Sequence, residues 1–361
     1  MKLFSTSRRV WAWHLPSNNM PGPLSLKQIL KIIISVVLLA FLLHYTGFED
    51  TLKKLSQANL WYVPVGIALY LGSQLISAYR WKFLSAPLGF RLSFREFYDY
   101  YLIGMFFNLF LPGAIGGDML RMVYLAKSAQ RKKREALLTL LAERGVGLVA
   151  LLLLTSLVSL SPPLMGMDLR IPLKFLSIGP IYFDLRVLLL SLSSFLLMGY
   201  LALWCVPLER LIAKAPKLEI LRQAKVYWAN VALLCKSVSM SLVVHCVMVL
   251  IHVLVAAALH VHVDVLYLTV VYGIVSLASV LPIAFNGFGV REGTYLLLLT
   301  KAGIPPQTAM AFAFYWVIIS TCTSLVGGLV LLKGHYKTPT VQDETDDDPE
   351  IAPEEPAMIK G

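Results

Sequence analysis

Six apolar runs, each long enough to cross a bilayer, constrain this 361-residue chain more than any other feature. They are Ile29–Tyr45, Trp61–Tyr79, Leu137–Leu160, Val187–Val206, Val238–Leu259 and Ala309–Leu332. A hydrocarbon core about 30 Å thick asks for roughly 20 residues of apolar helix. Water is absent there, so each backbone N–H and C=O must find its partner within the protein, as it does in a helix. With 57% hydrophobic and 15% charged residues and a mean hydropathy of +0.70, the chain reads as an all-α polytopic membrane protein. The formal net charge of +11 would turn a soluble chain toward nucleic acid. Here the basic residues stand between apolar runs, where they set topology and meet anionic headgroups. No nucleic-acid partner is expected.

Two further apolar segments are broken. The first contains Phe107-Asn108-Leu109-Phe110-Leu111-Pro112-Gly113-Ala114-Ile115-Gly116-Gly117-Asp118-Met119-Leu120-Arg121. Proline has no amide proton and disfavours helix at the residue before it, while glycine opens backbone angles closed to other residues. The helix is expected to break over Leu111–Gly113 and restart near Gly116. The arms on either side, Phe97–Pro112 and Gly113–Lys127, reach roughly 22–24 Å, short of the bilayer core. Basic residues flank both ends: Arg91 and Arg95 before, and Lys127, Arg131, Lys132, Lys133 and Arg134 after. The positive-inside rule places both ends in the cytoplasm, and the segment reads as a re-entrant helical hairpin with its tip at Pro112–Gly117. A plain loop between two ordinary helices is the other reading. The second break, Pro282-Ile283-Ala284-Phe285-Asn286-Gly287-Phe288-Gly289-Val290-Arg291-Glu292-Gly293, divides Val265–Leu281 from Thr294–Thr300. Both breaks carry Leu-Pro, a glycine-rich turn and an arginine, at Leu111-Pro112…Arg121 and Leu281-Pro282…Arg291.

The resulting order is span, span, hairpin, span, twice over, starting from inside the first time and from outside the second. That gives about six full spans plus two re-entrant helical hairpins in inverted repeats, a transporter layout. The domain plan is a basic segment over 1–25, a transmembrane domain over 26–335 with repeats of about 26–160 and 187–335, and an acidic tail over 338–361, too poor in large apolar side chains to fold. Both termini are expected in the cytoplasm, in a bacterial-type inner membrane. Residues 161–186 read as an external loop and residues 207–236 as a basic cytoplasmic segment suited to an interfacial helix. The four cysteines lack CxxC spacing and suggest neither a zinc site nor a disulfide framework. No metal or cofactor is expected.

Polar residues at membrane depth are expensive to bury and mark either packing pairs or substrate paths. Gly116-Gly117-Asp118 opens the second arm, where free N–H groups favour phosphate and glycine lets a headgroup approach. Asp118 fits the role of a helix cap equally well. Arg121, three residues on, either neutralises Asp118 or binds lipid phosphate through its planar fork. Glu143 and Arg144, inside the third span, are either a buried packing pair or part of a path, and Arg291 and Glu292 take the same two readings. His245 and His252 lie two turns apart on one face and read as hydrogen-bonded histidines ahead of a proton path. Together with Asn108, Pro112, Gly113, Asn286, Gly287 and Gly289, the hairpin and span residues Gly116, Gly117, Asp118, Arg121, Glu143, Arg144, Arg291 and Glu292 form the candidate substrate-binding set. HExxH, GxSxG and GxxxxGK[ST] are absent, so an enzyme is not expected.

Asn108-x-x-Leu111-Pro112-Gly113-x-x-Gly116-Gly117-Asp118-x-x-Arg121, then Glu143-Arg144, then Gly287-x-Gly289-Val290-Arg291-Glu292 is a pattern that resembles the lysylphosphatidylglycerol synthase transmembrane-region family. That family is also described as flippase-like and includes the UPF0104 membrane proteins. The resemblance covers roughly residues 25–335. It implies a likeness to the lipid-flipping half of enzymes that attach lysine to phosphatidylglycerol and move the product across the membrane; other members accompany hopanoid or polyprenyl-linked sugar pathways. The aminoacyl-transfer activity of such enzymes belongs to a separate soluble domain, and this chain stops soon after its last span, so a synthase is not expected. Pro282–Asn286 departs from the pattern, since relatives tend to have a more glycine-rich turn there. The expected function is a lipid translocase moving a phospholipid or polyprenyl-phosphate-linked headgroup, with those anionic membrane lipids as its partners. The alternative is a non-transporting scaffold or accessory subunit for a lipid- or glycan-modifying enzyme, docked through residues 207–236 and the acidic tail.

Overall fold

The computed structural model describes residues 26–111, 116–165, 169–173, 181–205 and 220–333. Expectations for the N-terminal segment, for Pro112 and Gly113, for most of the basic segment before residue 220 and for the acidic tail fall outside the described residues. In chain order the elements are α1 (Leu26–Thr46), α2 (Phe48–Ser56), α3 (Tyr62–Ser85), α4 (Phe94–Asn108), α5 (Gly116–Ser128), α6 (Lys133–Ser159), α7 (Pro162–Met165), β1 (Arg170–Leu173), β2 (Ile181–Asp184), α8 (Leu185–Cys205), α9 (Ile220–Ala229), α10 (Val231–Ala258), α11 (Val265–Val280), α12 (Val290–Lys301) and α13 (Pro306–Lys333).

The apolar runs become α1, α3, α6, α8, α10 and α13. All of these except α3 are long and apolar enough to cross a membrane. The 24 residues of α3 reach about 36 Å, but its buried positions include Ser73, Gln74, Ser77 and Arg80. It packs against α4, α6, α10 and α13, so this polar stripe faces protein. The helix also runs six residues past the expected end at Tyr79, because no proline or glycine interrupts it before Pro87. Arg80 and Lys82 therefore stand on a helix and not in a loop. Residues 46–60 contain α2, and α10 starts at Val231, seven residues early, where the Asn230 Oδ1 cap accepts the Leu233 N–H at 3.0 Å. The expected external loop holds a short antiparallel ribbon, Arg170 opposite Asp184 through Leu173 opposite Ile181. The all-α reading holds apart from that ribbon.

Both broken segments fold as antiparallel hairpins. Ser93 and Glu96 start α4 with a reciprocal capping box, which satisfies two orphan N–H groups. Near the base, the Tyr100 ring stacks on Tyr124 at 5.5 Å and its hydroxyl meets the Ser128 hydroxyl at 2.6 Å. Near the tip, Asn108 Oδ1 accepts the Gly117 N–H at 2.9 Å. The arms approach so closely that a Cβ on Gly117 would lie 1.9 Å from the Gly104 carbonyl oxygen. The helix stops at Asn108, three residues before the proline-adjacent Leu111, as Leu109 and Phe110 wind into tighter turns. In the second hairpin, the Tyr267 hydroxyl donates to the Leu298 carbonyl at 2.7 Å near the base. Its tip turns through Asn286, Gly287 and Gly289, with φ of 50°, 74° and 85°, the left-handed region that asparagine and glycine tolerate best. The arms have 15, 13, 16 and 12 residues, hence about 18–24 Å each.

α6 shows how the hairpins are related. The base of the first lies at its start, where the Arg131 N–H bonds the Ala126 carbonyl at 2.9 Å. At its far end, the Thr155 side chain sits where a Cβ on Gly273 of α11 would fall. Beyond that end, Lys301 at the base of the second hairpin donates to the Arg170 carbonyl. The two bases thus lie at opposite ends of α6. The packing has a second regularity. Exchanging α1 with α8, α3 with α10, α4 with α11, α5 with α12 and α6 with α13 sends one packed pair onto another: α3–α4 onto α10–α11, α4–α13 onto α11–α6, α3–α6 onto α10–α13, and α5–α6 onto α12–α13.

Candidate functional site

The centre of the molecule holds a chain of alternating charges. Arg80 on α3 pairs with Glu143 Oε1, and Arg121 on α5 pairs with Glu143 Oε2 at 2.7 Å. Arg121 Nε lies 3.0 Å from Asp118 Oδ1, and Arg144 pairs with the other Asp118 oxygen. The order is therefore Arg80, Glu143, Arg121, Asp118, Arg144, positive at both ends. Arg80, Asp118, Arg121 and Glu143 are all buried, whereas the Arg144 side chain is 52% exposed. One end is anchored, since Arg80 also donates to the Ser241 hydroxyl of α10. In the middle, the Arg121 guanidinium lies 4.9 Å from the Trp81 ring centroid and 4.4 Å from that of Tyr101, faces that attract a cation. The Tyr101 hydroxyl donates to Glu143 at 3.3 Å. A buried charge is tolerated only when paired and hydrogen-bonded, and each carboxylate here serves two arginines.

The free end of this chain opens on a polar cavity of about 190 Å³ bounded by Tyr70, Gln74, Tyr101, Gly104, Met105, Asn108, Asp118, Arg121 and Arg144. Larger cavities of about 380 and 420 Å³ lie along α6, α8 and α10, but their walls are mostly leucine, valine and aromatic side chains, with Ser193 and Ser194 in one of them, and hold no charged group. The polar cavity carries the chemistry. At its edge the hairpin tips touch, as Asn286 Nδ2 donates to the Asn108 carbonyl at 3.1 Å. Ser35 of α1 holds the second tip by accepting the Phe285 N–H at 2.7 Å.

The second tip has its own ion pair. Arg291 Nη2 lies 2.7 Å from Glu292 Oε1, Glu292 Oε2 accepts the Gly289 N–H at 2.6 Å, and the Arg291 guanidinium lies 5.0 Å from the Phe288 ring centroid. Asp118 and Glu292 are each the third residue of their helix, where an acid meets free N–H groups and the positive end of the dipole. The local match that aligned Arg121 with Arg291 is not the structural one: Arg121 is the sixth residue of its helix and Arg291 the second.

Asn108, Asp118, Arg121 and Arg144 line one cavity. Glu143 lies behind it, Asn286 reaches its edge, and Gly116 and Gly117 start the helix that carries Asp118. Asp118 is not an N-cap, because α5 begins two residues earlier. Glu143 and Arg144 do not pair with each other; neighbours on a helix point about 100° apart, so they serve different partners. Arg291 and Glu292 do pair, apart from the five-membered chain. His245 bonds the Gly147 carbonyl at 3.0 Å and the Tyr272 hydroxyl at 2.7 Å. His252 bonds the Met248 carbonyl at 2.7 Å and the Tyr295 hydroxyl at 2.6 Å, so both histidines are hydrogen-bonded, as read from the sequence. Arg80, Tyr70, Gln74 and Tyr101 were not anticipated. The signal for Arg80 was present: Gln74, Ser77 and Arg80 recur every three residues on an unbroken helix.

A sequence profile of the lysylphosphatidylglycerol synthase transmembrane region matches residues 28–328. The chain belongs to that family. A UPF0104 membrane protein of Methanocaldococcus jannaschii is 24% identical over 326 residues, covering 85% of this chain and 94% of the relative. Family relatives of the same UPF0104 description from Pyrococcus horikoshii and Archaeoglobus fulgidus are 31% identical over 121 residues and 30% over 98. The alignments span 36% and 30% of those two proteins, about a third of their length. Every charged residue of the site lies within the stretch that the lysylphosphatidylglycerol synthase transmembrane-region profile matches.

Proposed function

We propose that this protein is a lipid translocase: a phospholipid or polyprenyl-phosphate-linked headgroup passes through the polar cavity while its tails stay in the hydrocarbon. In this reading α1, α3, α6, α8, α10 and α13 span the membrane, and the two hairpins enter from opposite leaflets as halves of an inverted repeat. Substrate sites of such transporters lie near the midplane, at the ends of discontinuous helices. The observation that carries the proposal is the hydrogen bond between the tips, Asn286 to Asn108, beside an arginine accessible from the cavity. The pairwise exchange of helix contacts supports the repeat. Bare transfer of an anionic headgroup into hydrocarbon is costly, and fixed arginines offset that cost. The family's description links related domains to lysylphosphatidylglycerol synthases, in keeping with a lipid substrate. The role is transport and not catalysis, in an inner membrane with both termini cytoplasmic. It is driven by the lipid gradient, an ion gradient or a partner, in keeping with the absence of the GxxxxGK[ST] phosphate-binding motif.

The test is headgroup movement in reconstituted vesicles, read by quenching of fluorescent lipid in the outer leaflet. Arg291→Ala, inserted normally, is expected to abolish movement and Arg291→Lys to retain part of it. Unchanged rates in Arg291→Ala would remove Arg291 from the site. No movement by the unaltered protein with any anionic lipid would remove the transport reading.

A further inference from the structure

A neutral pair bonds the second hairpin to α10. His252 of α10 is fully buried, with Nδ1 2.7 Å from the Met248 carbonyl and Nε2 2.6 Å from the Tyr295 hydroxyl of α12. A carbonyl can only accept, so Nδ1 carries the proton; Nε2 is then the acceptor, and Tyr295 donates to it. The Tyr295 hydroxyl bonds no other group among the described residues. His245 is held differently. Its Nε2 donates to the Gly147 carbonyl, and its partner Tyr272 has Ser276 as a second neighbour for the hydroxyl. Around His252 stand the rings of Trp316, Tyr272, Tyr295 and Phe312, their centroids between 4.7 and 6.0 Å away. This cluster is the second half's counterpart of the charge chain. Tyr295 is the sixth residue of α12, as Arg121 is of α5, and the exchange that sends α5 onto α12 sends α3 onto α10 and α6 onto α13. The first half holds a permanent cation, Arg121, against Trp81 and Tyr101. The second holds an imidazole, which becomes a cation only when it gains a proton.

We infer that His252 is a proton-binding site linked to the second hairpin tip, and that this link couples lipid movement to a proton gradient. The inference rests on the translocase reading and names its coupling ion. When Nε2 takes a proton from the aqueous phase, a donor comes to face a donor. The surrounding rings attract the new cation, but the Tyr295 O–H is left without an acceptor, a costly state for a buried group. Tyr295 must turn or withdraw, and α12 moves with it. Arg291 stands one turn earlier on α12, just past the turn through Asn286 that bonds Asn108. Protonation therefore favours parting of the tips, and loss of the proton to water restores the pair. No other group nearby is as free to change its charge. Tyr272 of α11 and Tyr70 of α3, which stacks on Trp316, are phenols that stay neutral near pH 7. Arg291 and Glu292 of α12 pair with each other. From α13 the contacts are the rings of Phe312 and Trp316, and the charges of α6 beyond its first turn, Glu143 and Arg144, belong to the charge chain.

The experiment puts spin labels on the two tips, through Phe110→Cys and Ile283→Cys at exposed positions, in the full chain with its own cysteines replaced. The distance between the labels is read in lipid nanodiscs between about pH 5 and pH 8, where a histidine titrates. One linked proton predicts that the ratio of parted to joined tips changes by up to about tenfold per pH unit, with parted tips favoured in acid. His252→Gln, whose amide can make both bonds without titrating, should stay joined throughout. Tyr295→Phe, which removes the opposed donor and keeps the ring, should also lose the response, and His245→Gln should keep it. Distances that ignore pH in the otherwise unaltered protein, or a response that survives His252→Gln or Tyr295→Phe, overturn the inference. Vesicle assays separate the two claims. Fluorescent phosphatidylglycerol, whose phosphodiester keeps one charge over this range, should gather in one leaflet under an imposed proton gradient. For one proton per lipid the excess is up to about tenfold per pH unit, and His252→Gln should leave the leaflets equal. A pH-dependent tip distance without lipid movement defeats the translocase reading and leaves the proton site. Lipid movement that ignores the gradient defeats the coupling and leaves the translocase.

Discussion

Glu143→Gln tests the buried charge chain directly. The substitution keeps the shape of the side chain and removes its charge. Arg80 then loses the one acid that pairs with it among the described residues, and Arg121 keeps only Asp118. The side chains of Arg80, Arg121 and Glu143 are 6%, 3% and 2% exposed, so water cannot replace the lost partner. Breaking a buried pair from one side costs about 3–5 kcal/mol, which for a chain of this size lowers the unfolding midpoint by roughly 4–7 °C. The assay is the temperature at which the monodisperse peak is lost in size-exclusion chromatography with fluorescence detection in detergent. Arg95→Ala is the control: the Arg95–Asp99 contact is 3.8 Å with the arginine side chain 89% exposed, and it should move the midpoint by less than about 1 °C. The double variant Glu143→Gln with Arg80→Met should recover part of the loss, since the unpaired cation is gone. A single variant within about 1 °C of the unaltered protein, or a double variant no more stable than Glu143→Gln alone, would refute the reasoning.

Other expectations concern the hairpins. Gly117→Ala places a methyl 1.9 Å from the Gly104 carbonyl oxygen; backbone cannot yield as a side chain does, so the first hairpin should lose about 1–3 kcal/mol in the same assay. Gly72→Ala, with nothing within 4 Å, should be neutral or slightly stabilising. At the second tip, Asn286→Gly forfeits only the bond to Asn108, about 0.5–1.5 kcal/mol. Asn286→Val must also hold φ near 50°, about 1–2 kcal/mol more, so the midpoints should fall in that order. Equal midpoints for the glycine and valine variants would show that the tip does not hold its left-handed turn.

Much of this molecule could be read locally. A break near Pro112 and a restart at Gly116 follow from proline and glycine chemistry acting within a few residues, and Asp118 meets Arg121 because positions three apart share a helix face. What escaped notice depends on distant partners. Arg80 follows the aromatic end of an apolar run beside Lys82, just where interfacial basic residues belong, and only Glu143 on α6 makes it a core residue. Glu143 and Arg144 looked like a pair because they are adjacent, although a helix sends neighbours to different sides. The ribbon after α7 lies in a stretch of mixed polarity with no clear alternation. The equivalence of the hairpins was visible in their glycines and in the acid at the third helical position, and was obscured by the unequal placement of Arg121 and Arg291.

The account depends on the two hairpins entering from opposite faces and meeting at Asn108 and Asn286. Single cysteines at positions 95, 127, 265 and 301, in a variant with Cys205, Cys235, Cys246 and Cys322 replaced, can be labelled in sealed vesicles with a membrane-impermeant maleimide. Positions 95 and 127 should react from one face, and 265 and 301 from the other. Reaction of 95 and 127 from different faces, or of all four from the same face, would contradict it.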